Sequence, residues 1–446
     1  MHGNGDSSTG IAPQEKYNLD NGSLFRFARL LILAGAICFV LLGLSKGSAP
    51  TETARSRLAT VVALADYGTW HIDPPSGETR IEFEKNTIDK VKVGEHLISS
   101  KPPVLSLAMT AEYLVIRAVF GWNLNNKEDV GRIVSLMALT FSGIPYLLTL
   151  IFFDKTAALY HVGMKTRMLA LTGLAFGTQL WGFSSHVNNH LPATALLTIA
   201  LYFALGLSTA NLTPKPWRFV LFGLCGSLAI TIDFPSGVFV TIAGLFLLGR
   251  FPRQTVTWTL LGALPALALH VGVMLAITGS PFPVQMHPEM YLYESSYWRN
   301  PRGIDALNEP IASYLAHMTF GRKGLFLLFP ITFLGLLAAT LPSIRNEKPN
   351  RALLITGIAG FVSLTAYYAM STNNYGGHAY GFRWYIIATP ILLLMGAQVM
   401  SKCTKPWQWL LLTVMFAISL FSGWQCFMHP WEVNAEWTTR FLGPSI

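Results

Sequence analysis

Residues 101–120 read KPPVLSLAMTAEYLVIRAVF, and whether this run crosses a membrane or lies along its surface fixes the orientation of everything after it. It is long enough to span, because a hydrocarbon core takes about 20 helical residues. Yet Glu112 and Arg117 interrupt it, and Pro102 and Pro103 open it. Eleven other apolar runs occupy residues 28–46, 133–153, 168–185, 192–209, 219–231, 236–249, 257–278, 324–341, 352–370, 384–400 and 407–424. Loop charges decide between the two readings. With 102–120 on the outer surface and the other runs crossing, alternate loops carry Lys155, Lys165 and Arg167; Lys215 and Arg218; Arg250 and Arg253; Arg345, Lys348 and Arg351; and Lys402 and Lys405. All then share the side of the N-terminus, as the positive-inside rule requires. A crossing at 102–120 inverts the pattern and turns most of these loops outward.

The composition points the same way. Of 446 residues, 52% are hydrophobic and 12% charged, and the mean hydropathy is +0.42. Soluble domains carry about 25% charged residues. The expected fold is therefore an all-α polytopic membrane protein, one domain over 1–446, with about eleven transmembrane helices and interfacial helices in the first outer loop. Its parts are a cytoplasmic tail 1–27, a large outer loop 47–132, a second outer loop 279–323 and an outer tail 425–446. Residues 1–25 are polar, Arg26 and Arg29 precede the first apolar run, and no small-residue cleavage site follows it, which reads as a retained anchor.

The net charge of +9 sits mostly in short loops, so it speaks for orientation and not for nucleic acid. Cys38, Cys225, Cys403 and Cys426 are scattered, with neither a disulfide framework nor zinc spacing. A carboxylate cluster and a glycine-rich phosphate loop between strand and helix are also missing, so neither a metal nor a cofactor is expected and ATP-driven chemistry is disfavoured.

The outer face of this topology holds the chemically interesting residues. Glu52 stands just past the first span at the start of an expected helix over 53–66; it reads either as a general base or as a helix-end charge favoured by the dipole. Lys101, beside two prolines, reads as a phosphate-binding cation or as a lysine reaching to headgroups. Asp89 and His96, in the same loop, are further candidates for substrate binding. The loop 371–384, STNNYGGHAYGFRW, is the most site-like segment: its glycines allow close approach, Asn373, Asn374, Tyr375 and His378 supply hydrogen bonds, and Arg383 opens the next span where an anionic headgroup lies. Asn189 and His190 precede a span on the outer face and are further candidates for substrate binding, while individually they, like His317, Arg322 and Lys323, also read as caps or interface residues. Asp233, between two short spans, reads as a cap before Pro235.

A first span followed by an outer acid, a helix ending in Tyr67-Gly68-Thr69-Trp70, the SSKPP of 99–103 and a multispan body resemble the GT-C glycosyltransferases. The branch is that of protein O-mannosyltransferases and aminoarabinose transferases. Stretches such as TIDKV at 87–91, SSKPP, and NNYGG at 373–377 followed by an arginine and an aromatic are similar to those of bacterial membrane members. The resemblance implies an inner-membrane enzyme that transfers a sugar from a polyprenyl-phosphate donor, with inversion, to a lipid, glycan or protein acceptor on the outer (periplasmic) face. Glu52 matches its base and Lys101 its phosphate-binding lysine. Two positions depart from the pattern. An Asp-Glu pair is common in the family where this chain has Thr51-Glu52-Thr53, and an Asp often precedes the Lys-Pro-Pro where this chain has Ser100. Lys101 and Arg383 would then neutralise the leaving phosphate, with the loop asparagines and His378 on sugar or phosphate oxygens. The alternatives are a non-catalytic binder or transporter of lipid-linked sugars, and a structural subunit of an envelope complex.

Overall fold

The computed structural model describes residues 13–47, 50–73, 81–372 and 374–444. Eight of its helices are long and apolar enough to cross a membrane, and three shorter apolar helices accompany them, Pro216–Ile232, Phe234–Arg250 and Pro330–Thr340. The chain is a multi-pass helical membrane protein. Each of the eleven expected runs falls on helix, but two are broken. The first breaks at Gly177, between Met164–Phe176 and Gln179–Phe183. There the helix Pro406–Met428 comes in closely: a Cβ on Gly423 would lie 2.0 Å from the Phe176 carbonyl oxygen. The second breaks at Phe329-Pro330, where proline supplies no amide to continue the helix.

The segment after the first span builds a small layer of its own. The helix Glu52–Tyr67 starts at Thr51, whose hydroxyl accepts the Ala54 amide at 3.3 Å, and ends at Gly68 in the left-handed region. Its Leu58, Val61 and Val62 are buried against Met109, Tyr113 and Ile116 of the helix Pro103–Phe120. The latter keeps Leu114, Val115, Val119 and Phe120 exposed on its other side. It is itself one of the eight helices with spanning length and hydropathy. Between the two lies an antiparallel hairpin of β1 (Lys90–Val93) and β2 (His96–Ser99), with Lys90 opposite Ser99 and Val93 opposite His96. No strand was expected here. The hairpin is what carries Asp89 and Ser100 to the same edge, where the Ser100 amide donates to the Asp89 carbonyl at 3.1 Å.

The loop 279–323 closes over this layer. Gln285 Nε2 donates to the Ser100 carbonyl at 2.6 Å, and Trp298 Nε1 donates to the Ile88 carbonyl at 2.9 Å.

Candidate active site

Two cavities meet under that loop. The first, about 840 Å³, is walled by the start of Glu52–Tyr67, the Asp89 and Lys101 turns, loop 285–305 and the 372–384 loop. The second, about 430 Å³, lies among Asn189, His190, Asp233 and the Tyr367–Tyr368 end of Asn350–Ser371. Lys101 and Arg383 line both, with Thr53, Gln285, Thr372 and Trp384. Phe234, Phe282, Met286 and Tyr367 line the second cavity and are also exposed on the outside, so its mouth is apolar.

The shared wall is cationic. Lys101 Nζ lies 2.9 Å from Asp89 Oδ2, which also accepts the Thr53 hydroxyl at 3.1 Å. Burial works to raise the Asp89 pKa, but the charge and hydrogen bond of Lys101 outweigh it and hold the carboxyl below its ordinary value. Lys101 is itself lowered, by burial first and then by Arg57 and Arg383 acting against the help from Asp89. Arg57, 1% exposed, donates to the Thr53 carbonyl and to Asn189 Oδ1, both at 3.2 Å. Burial brings its pKa down to about 10. Arg383 is half-buried, stacks over the Trp431 ring at 5.4 Å, and makes no ion pair or side-chain hydrogen bond among the described residues. The Nε atoms of Arg57 and Arg383 are both buried without a partner. Two guanidinium groups with unused donors beside a lysine form a ready receptor for an anion with several oxygens.

Arg383 is held in place by the tail. Glu436 Oε1 accepts Lys323 Nζ and the Gly381 amide, each at 2.6 Å, and Lys323 Nζ also donates to the Ala379 carbonyl at 2.9 Å. Both side chains are fully buried. Lys323, read from the sequence as an interface residue, is therefore a bolt between the 371–384 loop and the tail. The glycines of that loop also have a local reason. Gly376 has φ 88°, and a Cβ there would sit 3.1 Å from Arg383 Cγ.

Of the residues expected from sequence, Glu52, Asp89, Lys101, Asn374, His378 and Arg383 line the first cavity, and Asn189 and His190 the second. Glu52 stands at the rim with its side chain 48% exposed; its carboxylate accepts the Ile88 amide at 3.1 Å and pairs with Arg55 at 3.4 Å. Asn374 spends its side-chain oxygen on the Gly376 amide at 2.9 Å. Tyr375 does not reach the cavity, because its ring is buried and its hydroxyl donates to Glu309. His96 also stays away: it stacks on His71 at 3.9 Å and meets Asp73 at 3.3 Å. Asn373 lies outside the described residues. Asp233 is not a side-chain cap; its carboxylate lies 2.6 Å from His190 Nδ1, with both groups buried.

Two cavity residues were passed over. Arg57 falls inside the expected helix over 53–66 and shows there only as a polar position. Asp305 had no local motif at all; it lines the first cavity, accepts the Tyr297 hydroxyl at 3.1 Å, and, among the described residues, is the one carboxylate of that lining with no ion pair. Burial raises its pKa.

No family model and no curated protein matches this chain. Two solved structures are similar to it. ArnT from Cupriavidus metallidurans in the apo state shares 15% identity at a TM-score of 0.49, over 86% of this chain and 61% of that one. The same protein bound to undecaprenyl phosphate shares 15% identity at a TM-score of 0.48, over 86% and 62%. This chain thus spans less than two thirds of the length of the ArnT chains it matches.

Proposed function

We propose that the chain is an inverting GT-C glycosyltransferase that takes a sugar from a polyprenyl-phosphate donor. The observation that carries this reading is the wall between a cavity that holds the polar side chains of Asp305, Asn374 and His378 and one with an apolar mouth: Lys101 and Arg383 line both, Arg57 lines the second, and the two guanidinium groups keep unused donors. A polyprenyl-phosphate sugar has the same three-part build: an apolar tail, an anion and a polar head.

In this reading the tail lies in the second cavity, the phosphate against the three cations and the sugar in the first cavity. Breaking the bond between the anomeric carbon and the phosphate oxygen leaves the electron pair on the phosphate. Cations fixed in advance stabilise that charge as it forms. The acceptor hydroxyl attacks from the opposite side and gives its proton to a wall carboxylate. Glu52 is the base the sequence motif suggests, and Asp305 competes for the role because it has no cation to hold it. The site faces the periplasm of the inner membrane, on the side opposite the basic loops.

Native mass spectrometry of the purified protein tests the reading. A polyprenyl phosphate bound to the wild type and lost in the Lys101→Met, Arg383→Gln double variant is the expected result. Ordinary phospholipids alone, equal in both proteins, would remove it.

A further inference from the structure

The His190–Asp233 pair has no part in the chemistry above, yet it is buried at the wall of the second cavity, which it shares with Lys101 and Arg383. Asp233 Oδ2 lies 2.6 Å from His190 Nδ1, which fixes the ring as the Nδ1–H tautomer when neutral and steadies the imidazolium when charged. The other ring nitrogen, Nε2, has no protein partner among the described residues. Asn189, the neighbour of His190 in the chain, meets the cation wall, since its Oδ1 accepts Arg57 at 3.2 Å.

Charge balance says what such a pair does. Arg57, Lys101, Arg383 and Asp233 line the second cavity, with His270 and the hydroxyls of Tyr367 and Tyr368; Asp89, the partner of Lys101, lines the first with Glu52, Arg55, Asp305 and His378. A phosphodiester brings one negative charge to this wall. A phosphate monoester carries nearly two at neutral pH, since its second ionisation lies near 6. The extra charge favours the entry of one more proton, and His190, with Asp233 on Nδ1 and Nε2 open, is placed to take it. Resting on the donor reading above, we infer that His190 takes up a proton when the lipid phosphate becomes a monoester, so that the His190–Asp233 pair senses the product and retains it until it is released.

The step balances. The bond from anomeric carbon to phosphate oxygen breaks with its electrons on the phosphate, and the acceptor's proton passes to the wall carboxylate and then to solvent. One proton from solvent enters at His190 Nε2 and leaves again with the departing polyprenyl phosphate. The pair holds the product and does not touch the anomeric carbon.

Calorimetric titration near pH 7.5, in buffers of different ionisation enthalpy, counts the protons taken up on binding. The probes are farnesyl phosphate, a monoester, and methyl farnesyl phosphate, its diester. The wild type is expected to take up about one proton with the monoester and about none with the diester. His190→Gln should bind both probes and lose the difference, and Asp233→Asn should reduce it. Equal uptake for the two probes in the wild type overturns the inference without needing a variant, as does full uptake retained by a folded His190→Gln. If neither probe binds the wild type, the donor reading itself fails, and the inference with it.

Discussion

Arg383→Gln separates a binding cation from a structural one. Arg383 has no carboxylate partner in the described structure, and its Nε is buried without an acceptor. Replacing it breaks no ion pair, and the repulsion it relieves beside Arg57 and Lys101 offsets the attraction lost to Asp89 and Asp233, so thermal stability should change little. A bound phosphate would give the guanidinium its first charged acceptor. A hydrogen bond to a charged group is worth about 1.5–3 kcal/mol, so affinity for farnesyl phosphate should drop by roughly ten- to 150-fold. Lys101→Met should behave differently. It also loosens the phosphate, but it leaves Asp89 without its cation at 2.9 Å, in a setting only 9% exposed. Breaking a buried pair in this way costs about 3–5 kcal/mol, and the melting temperature should fall with the affinity. The double variant should lose less affinity than the two single losses added together, because both cations grip one phosphate. Titration calorimetry with farnesyl phosphate and parallel thermal unfolding measure both effects. Unchanged affinity in Arg383→Gln would refute the reasoning, whatever happens to stability.

Three further outcomes follow from the same geometry. In a background without the four natural cysteines, Cys at position 378 should react with an impermeant thiol reagent in intact cells while Cys at 348 stays protected; the reverse pattern puts the site on the cytoplasmic face. If Asp305 is the base, its raised pKa sets the acid limb of the pH–rate profile: activity falls as pH drops through that value, the limb is kept in Glu52→Gln, and Asp305→Asn loses the turnover. Glu52→Gln losing about a hundredfold or more in turnover with donor binding intact assigns the role to Glu52 instead. Lys323→Met should destabilise the protein by about 3–5 kcal/mol by stranding Glu436, and Arg383 should lose donor affinity with it as the 379–381 loop comes free; unaltered unfolding and binding would show that the tail bolts nothing.

How much of this was legible in the sequence depends on the range of the contacts. The apolar helices, with Glu52–Tyr67 and Pro103–Phe120, follow from hydropathy and proline position, which are local. Lys101 and Arg383 were legible because each sits beside its own punctuation, Pro102-Pro103 in one case and Gly376, Gly377 and Gly381 in the other. The same glycine-rich loop misled on Tyr375, whose hydroxyl serves Glu309, while Asn374 does line the cavity but spends its side-chain oxygen on the loop backbone. Arg57 and Asn189 are 132 positions apart, and Lys323 and Glu436 are 113 apart, so nothing local marks either pair. Asp233 read as a cap since Pro235 follows it, and its real partner His190 lies 43 positions away on another helix. The hairpin had a faint signal in KVKV, Gly94 and HLIS, but four-residue strands in a helical chain fall below what alternation alone supports.

The most direct measurement follows the donor itself. Purified protein is incubated with a membrane lipid extract containing polyprenyl-phosphate sugars, and mass spectrometry tracks intact donor and free polyprenyl phosphate over time. A transferase releases free polyprenyl phosphate as the donor disappears, and the Lys101→Met, Arg383→Gln double variant does not. Donor that binds to the wild type yet stays intact, with an acceptor-rich extract present, would contradict the transferase and leave a lipid-linked-sugar binder.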